Sequence, residues 1–184
     1  CGKYQIPCVS VLDPIIGALG AYLGAESQHR PGLQHAMNDD YFGRLEAMKF
    51  AMDHDDGRCP EELGLAEIIL VGVSRTTKTP TSIYLANRGF RTANIPVVPD
   101  CPLPFQLDDV SDHVQVIGLN ISPDRLVPVR RSRLLSLRQE DTDYVDPERV
   151  REEVTYARRL FARKSWPVID VTRRSIEETA AEVI

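Results

Sequence analysis

Apolar residues in this chain fall into two spacings. Four short runs rich in Val and Ile, at 68–73, 92–98, 114–121 and 167–171, are bounded by turn residues and predict strands. They are continuously apolar instead of alternating, which is the pattern of strands covered on both faces. Helical spacing occupies 14–23, 40–54, 79–87, 123–137, 147–163 and 175–183. This alternation predicts an α/β fold, a parallel sheet flanked by helices. Ser122 can cap the 123–137 helix with Pro123 in its first turn, and Gly89 is placed to end the helix that begins near 79. Pro128 falls inside the 123–137 pattern, which predicts a kink there or a later start. The polar, proline-containing connections 28–38 and 99–111 are expected to be exposed loops.

Composition narrows the class. With 184 residues and 42% hydrophobic residues, the chain can build a real core. A net charge of -5 gives no global basic field for nucleic acid or for an anionic membrane surface, so neither is an expected partner. No apolar run approaches the roughly 20 residues that span a bilayer, and nothing at the start resembles a signal peptide. The expected location is the cytoplasm, or an organelle matrix such as a plant stroma. Cys1, Cys8, Cys59 and Cys101 lie far apart without a CxxC pair, and are expected to be reduced, mostly buried thiols. The first residue is Cys1 and not Met, so the chain is expected to be part of a longer protein. The expected division is a helical segment over 1–60, completing or linking to a further N-terminal region, then a nucleotide-binding domain over 61–184.

The most informative stretch is the strand 68–73 running into GVSRTTKT at 72–79, where a helix opens. Gly72, Val73, Ser74, Arg75, Thr76, Thr77, Lys78 and Thr79 follow the spacing of a phosphate loop, G-x-x-x-x-G-K-[ST], with Thr77 in place of the second glycine. Successive backbone N–H groups and a helix N-terminus would cradle an anion, Lys78 would reach the terminal phosphate, and the Thr79 hydroxyl could hold Mg²⁺. A β-branched residue disfavours positive φ, so Thr77 is expected in an ordinary backbone region and the loop in a non-standard shape. The plainer alternative is a strand-turn-helix that happens to be rich in small polar residues.

Phosphoryl transfer also needs a group to accept the attacking proton. His54, Asp55 and Asp56, at a helix end just before Gly57, are the candidates, with Asp55 or Asp56 as the base or metal-orienting carboxylate and His54 as a proton-carrying helper. Which aspartate acts is left open, and a solvated helix terminus is the alternative. Arg75 could stabilise charge on the transferring group, or simply be an exposed loop arginine. Asp170 could orient Mg²⁺ from the end of its strand, or cap the turn that follows. Arg130, Arg131, Arg133 and Arg138 could attract an acidic partner surface or a substrate phosphate, but are expected to form a solvated basic helix face, and Tyr41, Phe42 and Trp166 to be core or interface aromatics. His29, His35 and His113 lack ligand-like spacing.

The string GVSRTTKTPTSIYLA at 72–86 resembles the phosphate loop of the pyruvate, phosphate dikinase regulatory proteins, a family shared with the phosphoenolpyruvate synthase regulatory proteins. HDDG at 54–57, ANIP at 93–96, Gly118-Leu119 with Ser122-Pro123, and WPVIDVTRRSIEETA at 166–180 are similar to that family in the same order, over essentially the whole chain. The resemblance implies two opposed reactions. One is ADP-dependent phosphorylation of an active-site threonine on the dikinase. The other removes that phosphate with inorganic phosphate and releases pyrophosphate, so that one loop serves both directions. Pro128, and the absence of a glycine before Trp166, depart from the family pattern. Thr77 points to the dikinase more than to the synthase, whose regulators more often carry glycine there. A homodimer is compatible with this reading. The competing readings are a phosphate-loop kinase using ATP on a small molecule, and a nucleotide-sensing module without catalysis.

Overall fold

A computed structural model describes residues 12–24, 39–111, 113–138 and 143–184. The chain divides into two units, Cys1–Ala36 and Met37–Ile184. In the first, the described residues form α1 (Asp13–Leu23), which Gly24 ends with a left-handed backbone at φ 64. The sheet and the helices that cover it belong to the second. The expected loop 28–38, His29 and His35, and Cys1 and Cys8 lie outside the described residues.

The apolar run after Glu67 becomes β1 (Ile68–Gly72), with all five residues buried. Burial of consecutive strand residues requires cover on both faces and a neighbour at each edge. On one edge β1 pairs in parallel with β2 (Thr92–Pro96), Ile69 opposite Ala93. On the other it pairs with β3 (Gln115–Asn120), Ile69 opposite Val116. β4 (Val168–Asp170) then pairs with β3, Leu119 opposite Ile169. The order is β2-β1-β3-β4 and every pairing is parallel, so the expected α/β architecture is the one the chain adopts.

Helices cover this sheet. α3 (Lys78–Ala86) lies against β1 and β2 and is flanked by α2 (Asp39–Asp53) and α6 (Ile176–Val183). α5 (Pro147–Lys164) packs against β3 and α4 (Pro123–Leu137). α2 packs on α3 and β2 and so belongs to the sheet-bearing unit Met37–Ile184. Asp146 caps α5, accepting hydrogen bonds from the N–H groups of Glu148 and Arg149, and a reciprocal Ser175–Glu178 box opens α6. Ser122 stands at the start of α4, but its side chain makes no capping bond. α4 begins at Pro123 and contains Pro128, whose missing N–H would have faced the carbonyl of Asp124 in the first turn. The connection 99–111 is less open than expected, since a 3-10 turn at Phe105–Asp108 buries Leu107. Among the described residues no helix is long and apolar enough to cross a membrane.

The expectation of buried thiols fails on exposure. Cys59 is half-buried and Cys101 exposed, both as free thiols. Tyr41 and Phe42 are exposed and meet edge to face, whereas Trp166 does pack on the core near Phe161.

Order at the sheet centre depends on one close approach. A Cβ at Gly118 would lie 2.7 Å from the ring of Phe161, which is fully buried on α5. Gly118→Ala must therefore push α5 off β3, and should lower unfolding stability by about 1–3 kcal/mol in urea denaturation. Gly17→Ala, on an exposed face with no neighbour within 4 Å, is the control that should not.

Candidate functional site

β2 follows β1 on one edge of the sheet while β3 lies on the other, so the chain reverses direction across the sheet at β1. In open parallel sheets the crevice beyond the carboxyl ends of the strands at such a point is where ligands bind. Here a cavity of about 520 Å³ opens there, lined by Asp56, Ser74, Arg75, Thr77, Lys78, Thr79, Pro80, Pro96 and Val129.

The loop from β1 to α3 is drawn tightly onto the sheet. A Cβ at Gly72 would stand 2.7 Å from Thr76 Oγ1 and 2.8 Å from the Leu119 carbonyl, so only glycine admits this approach. The Val73 carbonyl accepts hydrogen bonds from Thr76 Oγ1 and from Lys78 Nζ, each at 3.0 Å. Arg75 and Thr77 both take positive φ, 72 and 59. Thr77 thus adopts the glycine-like conformation that its side chain was expected to forbid, and its Oγ1 is buried without a hydrogen-bond partner. The loop accepts this strain to bring Lys78 and Thr79 to the start of α3, which no side chain caps.

Lys78 is 5% exposed. Burial pulls its pKa from the ordinary 10.5 down to about 8; the charges of Asp56 and Asp55 oppose that fall, and those of Arg130 and Arg75 add to it.

The aspartates arrive from a turn after α2. Asp56 and Gly57 have φ of 55 and 77, reversing the chain so that both carboxylates face the loop's side of the sheet. Their roles separate. Asp55 Oδ1 accepts hydrogen bonds from Thr79 Oγ1 at 2.8 Å and from Asn94 Nδ2 at 2.6 Å. The Asp56 N–H donates to Asn94 Oδ1 at 3.1 Å, leaving its exposed carboxylate on the cavity wall. Asn94 is fully buried on β2 and fixes the whole turn. A polar residue inside the apolar run 92–98 was its signal in the sequence.

His54 is elsewhere. It is 1% exposed, its ring stacks on Phe50 at 3.8 Å, and Nδ1–H donates to the Phe50 carbonyl at 2.8 Å. It anchors the turn and does not line the cavity. Asp170 is also apart from it: Oδ1 accepts from the Thr172 N–H at 2.9 Å and Oδ2 from Asn120 Nδ2 at 3.2 Å. Burial would raise the Asp170 pKa, but these bonds and the nearby Arg158 outweigh it and hold the carboxyl below its ordinary value. His113 is exposed beside Ser111. Arg131, Arg133 and Arg138 are exposed as expected, but Arg130 is buried, paired with Glu153 at 2.5 Å. It belongs to the interior because α4 turns that side toward α5.

A group of oxygen donors, Thr79 with Asp55, suits Mg²⁺, which needs few protein ligands when phosphates supply the rest. Among the described residues, no three His, Cys, Asp or Glu side chains converge as a self-sufficient metal site.

Fold and site together define a parallel α/β protein with a lysine-bearing loop at the end of its central strand. The family model for kinase/pyrophosphorylase matches residues 1–184, and the chain belongs to that family. A Caulobacter vibrioides protein is 55% identical over 185 residues, covering all of this chain and 58% of its own length. A Sinorhizobium fredii protein is 54% identical over 186 residues, covering all of this chain and 68% of its own. A Sphingopyxis alaskensis protein is 58% identical over 181 residues, covering 98% and 67%. All three are named, by inference, as pyruvate, phosphate dikinase regulatory proteins. This chain thus spans from somewhat over half to about two thirds of the length of these relatives.

Two outcomes follow from the loop. Lys78 binds fewer protons folded than unfolded between pH 8 and 10.5, so its contribution to stability is unfavourable at neutral pH and is relieved as pH rises through that window. An anion placed in the cavity would favour the charged form, so any phosphate affinity of the cavity should hold below about pH 8 and fall by up to tenfold per unit above it, and calorimetric titration of Lys78→Arg should lack that fall. Thr77→Gly removes both the left-handed strain and the buried orphan hydroxyl, and should raise unfolding stability by about 1 kcal/mol in denaturant titration.

Proposed function

We propose that this chain supplies the phosphate site of a bifunctional regulator of pyruvate, phosphate dikinase. In one direction a phosphoryl group passes from ADP to an active-site threonine of the dikinase, leaving AMP. In the other, inorganic phosphate attacks the phosphothreonine and pyrophosphate leaves. The supporting observation is the cavity itself, where a buried lysine and an uncommitted aspartate face one loop.

The chemistry asks little of the protein beyond charge, alignment and a proton acceptor. Lys78 and the loop N–H groups would hold the β-phosphate of ADP, and the same groups would hold inorganic phosphate or pyrophosphate in reverse. Asp56 would take the proton from the threonine hydroxyl as it attacks, and return it to the threonine oxygen when the phosphate is removed. Asp55 is committed to Thr79 and Asn94, and so positions the loop start instead of acting as the base. Arg75, exposed at the cavity rim, would meet charge on the transferring group. Thr79 and Asp55 would hold Mg²⁺, which when bound supplies charge neutralisation between phosphate oxygens. The names of the relatives, together with Thr77, favour the dikinase over the synthase as target.

The test is to incubate the intact protein with the dikinase, pyruvate and phosphoenolpyruvate, and to compare ADP with ATP as donor. Threonine phosphorylation from ADP with AMP as coproduct is expected. Asp56→Asn should lower kcat by about 10²–10⁴-fold while ADP binding holds. Turnover of ATP on a small acceptor, with no transfer from ADP, would sink the reading.

A further inference from the structure

The buried Arg130 is unused by the chemistry above, yet it lies close enough to Lys78 to lower its pKa. An arginine taken out of water is costly unless its donors are matched. Here Nη1 and Nη2 donate to the two carboxylate oxygens of Glu153 at 3.1 and 2.5 Å, and Nη1 also donates to the Tyr144 carbonyl at 3.2 Å. The guanidinium carbon sits 4.5 Å from the centre of the Tyr144 ring. Arg130 therefore grips Tyr144 by backbone and by ring, and Glu153 on α5 keeps Arg130 in place.

What this grip holds is the loop. Tyr144 Oη is 2.9 Å from Ser74 Oγ, across 70 positions of sequence. Ser74 is half-buried and lines the cavity. Each hydroxyl has one proton to give and lone pairs to receive with, so the bond can run either way. A cation over the ring face draws density from the phenol and favours Tyr144 as donor. When Tyr144 donates, Ser74 keeps its own proton for a second partner, and the cavity is where a partner is available.

We propose that Tyr144, held by Arg130 and Glu153, is a positioning residue for the phosphate loop: its hydroxyl fixes Ser74 and turns the Ser74 proton toward an anion in the cavity. This rests on the phosphate reading of the loop given above. It places a hydroxyl donor beside Lys78 and ties the loop after β1 to α4 and α5 on the far side of β3.

Tyr144→Phe keeps the ring over Arg130 and removes only the hydroxyl, and Ser74→Ala removes its partner. In the intact protein, each single variant should weaken binding of inorganic phosphate and of ADP by about three- to tenfold, the range of one hydrogen bond to a charged group. The double variant should lose no more than Ser74→Ala alone, because Tyr144 acts only through Ser74. Hydrogen exchange of amides 73–78 should rise in Tyr144→Phe while the melting temperature holds, which a merely structural role would not produce. Unchanged affinity in Tyr144→Phe against a wild type that binds, losses that multiply in the double variant, or unchanged exchange in the loop, would each overturn this inference alone. A wild type that binds neither phosphate nor ADP would instead overturn the phosphate reading, and the donor role of Ser74 with it.

Discussion

A lysine ammonium held almost entirely out of water at the end of the central strand sets the terms for the rest of the site. Desolvation is the largest influence on Lys78, and it works against the charge that an anion site needs. The fold answers with the carboxylates of Asp55 and Asp56, brought from a different helix. Placing them there requires the left-handed turn at 56–57, the Asn94 amide that bonds both residues of the pair, and the stacked His54 that ends α2 on Phe50. The turn at 54–57 and Asn94, both distant in sequence from Lys78, thus serve one buried charge.

The same constraint accounts for the shape of the loop. A lysine that bonds the Val73 carbonyl and still faces the cavity leaves little slack between β1 and α3. That tightness excludes a side chain at Gly72 and forces positive φ on Arg75 and Thr77. Strain of this kind persists only where surrounding contacts over-determine it. Thr76, Asp55 through Thr79, and Tyr144 through Ser74 supply such contacts from three directions.

Much of this was legible in the sequence, and the limits have physical causes. Continuous apolar runs marked all four strands to within two residues at each end, because burial on both faces leaves no ambiguity of period. The phosphate-loop spacing located Ser74, Arg75, Thr77, Lys78 and Thr79 on one cavity, since the order strand, turn, helix is local. Thr77 was misjudged because its φ follows from tertiary tightness, against intrinsic preference. His54 lay in the right motif and the wrong place, as adjacent residues in a turn point to different sides. Arg130 was grouped with its exposed neighbours, since charge spacing on a helix does not say which face a second helix covers. Asp55 and Asp56 could be told apart only once Asn94 and Thr79 were placed beside them.

The central claim is that one loop serves both phosphoryl transfer to the threonine and its phosphate-dependent removal. The most direct measurement is the pair of rates, kinase and phosphorylase, across a series of Lys78 substitutions in the intact protein. The account predicts that the two fall together and in similar proportion, because under the proposed function ADP and phosphate would share the same buried ammonium. A variant that loses one activity and keeps the other would contradict it, and would require a second anion site for the surviving reaction.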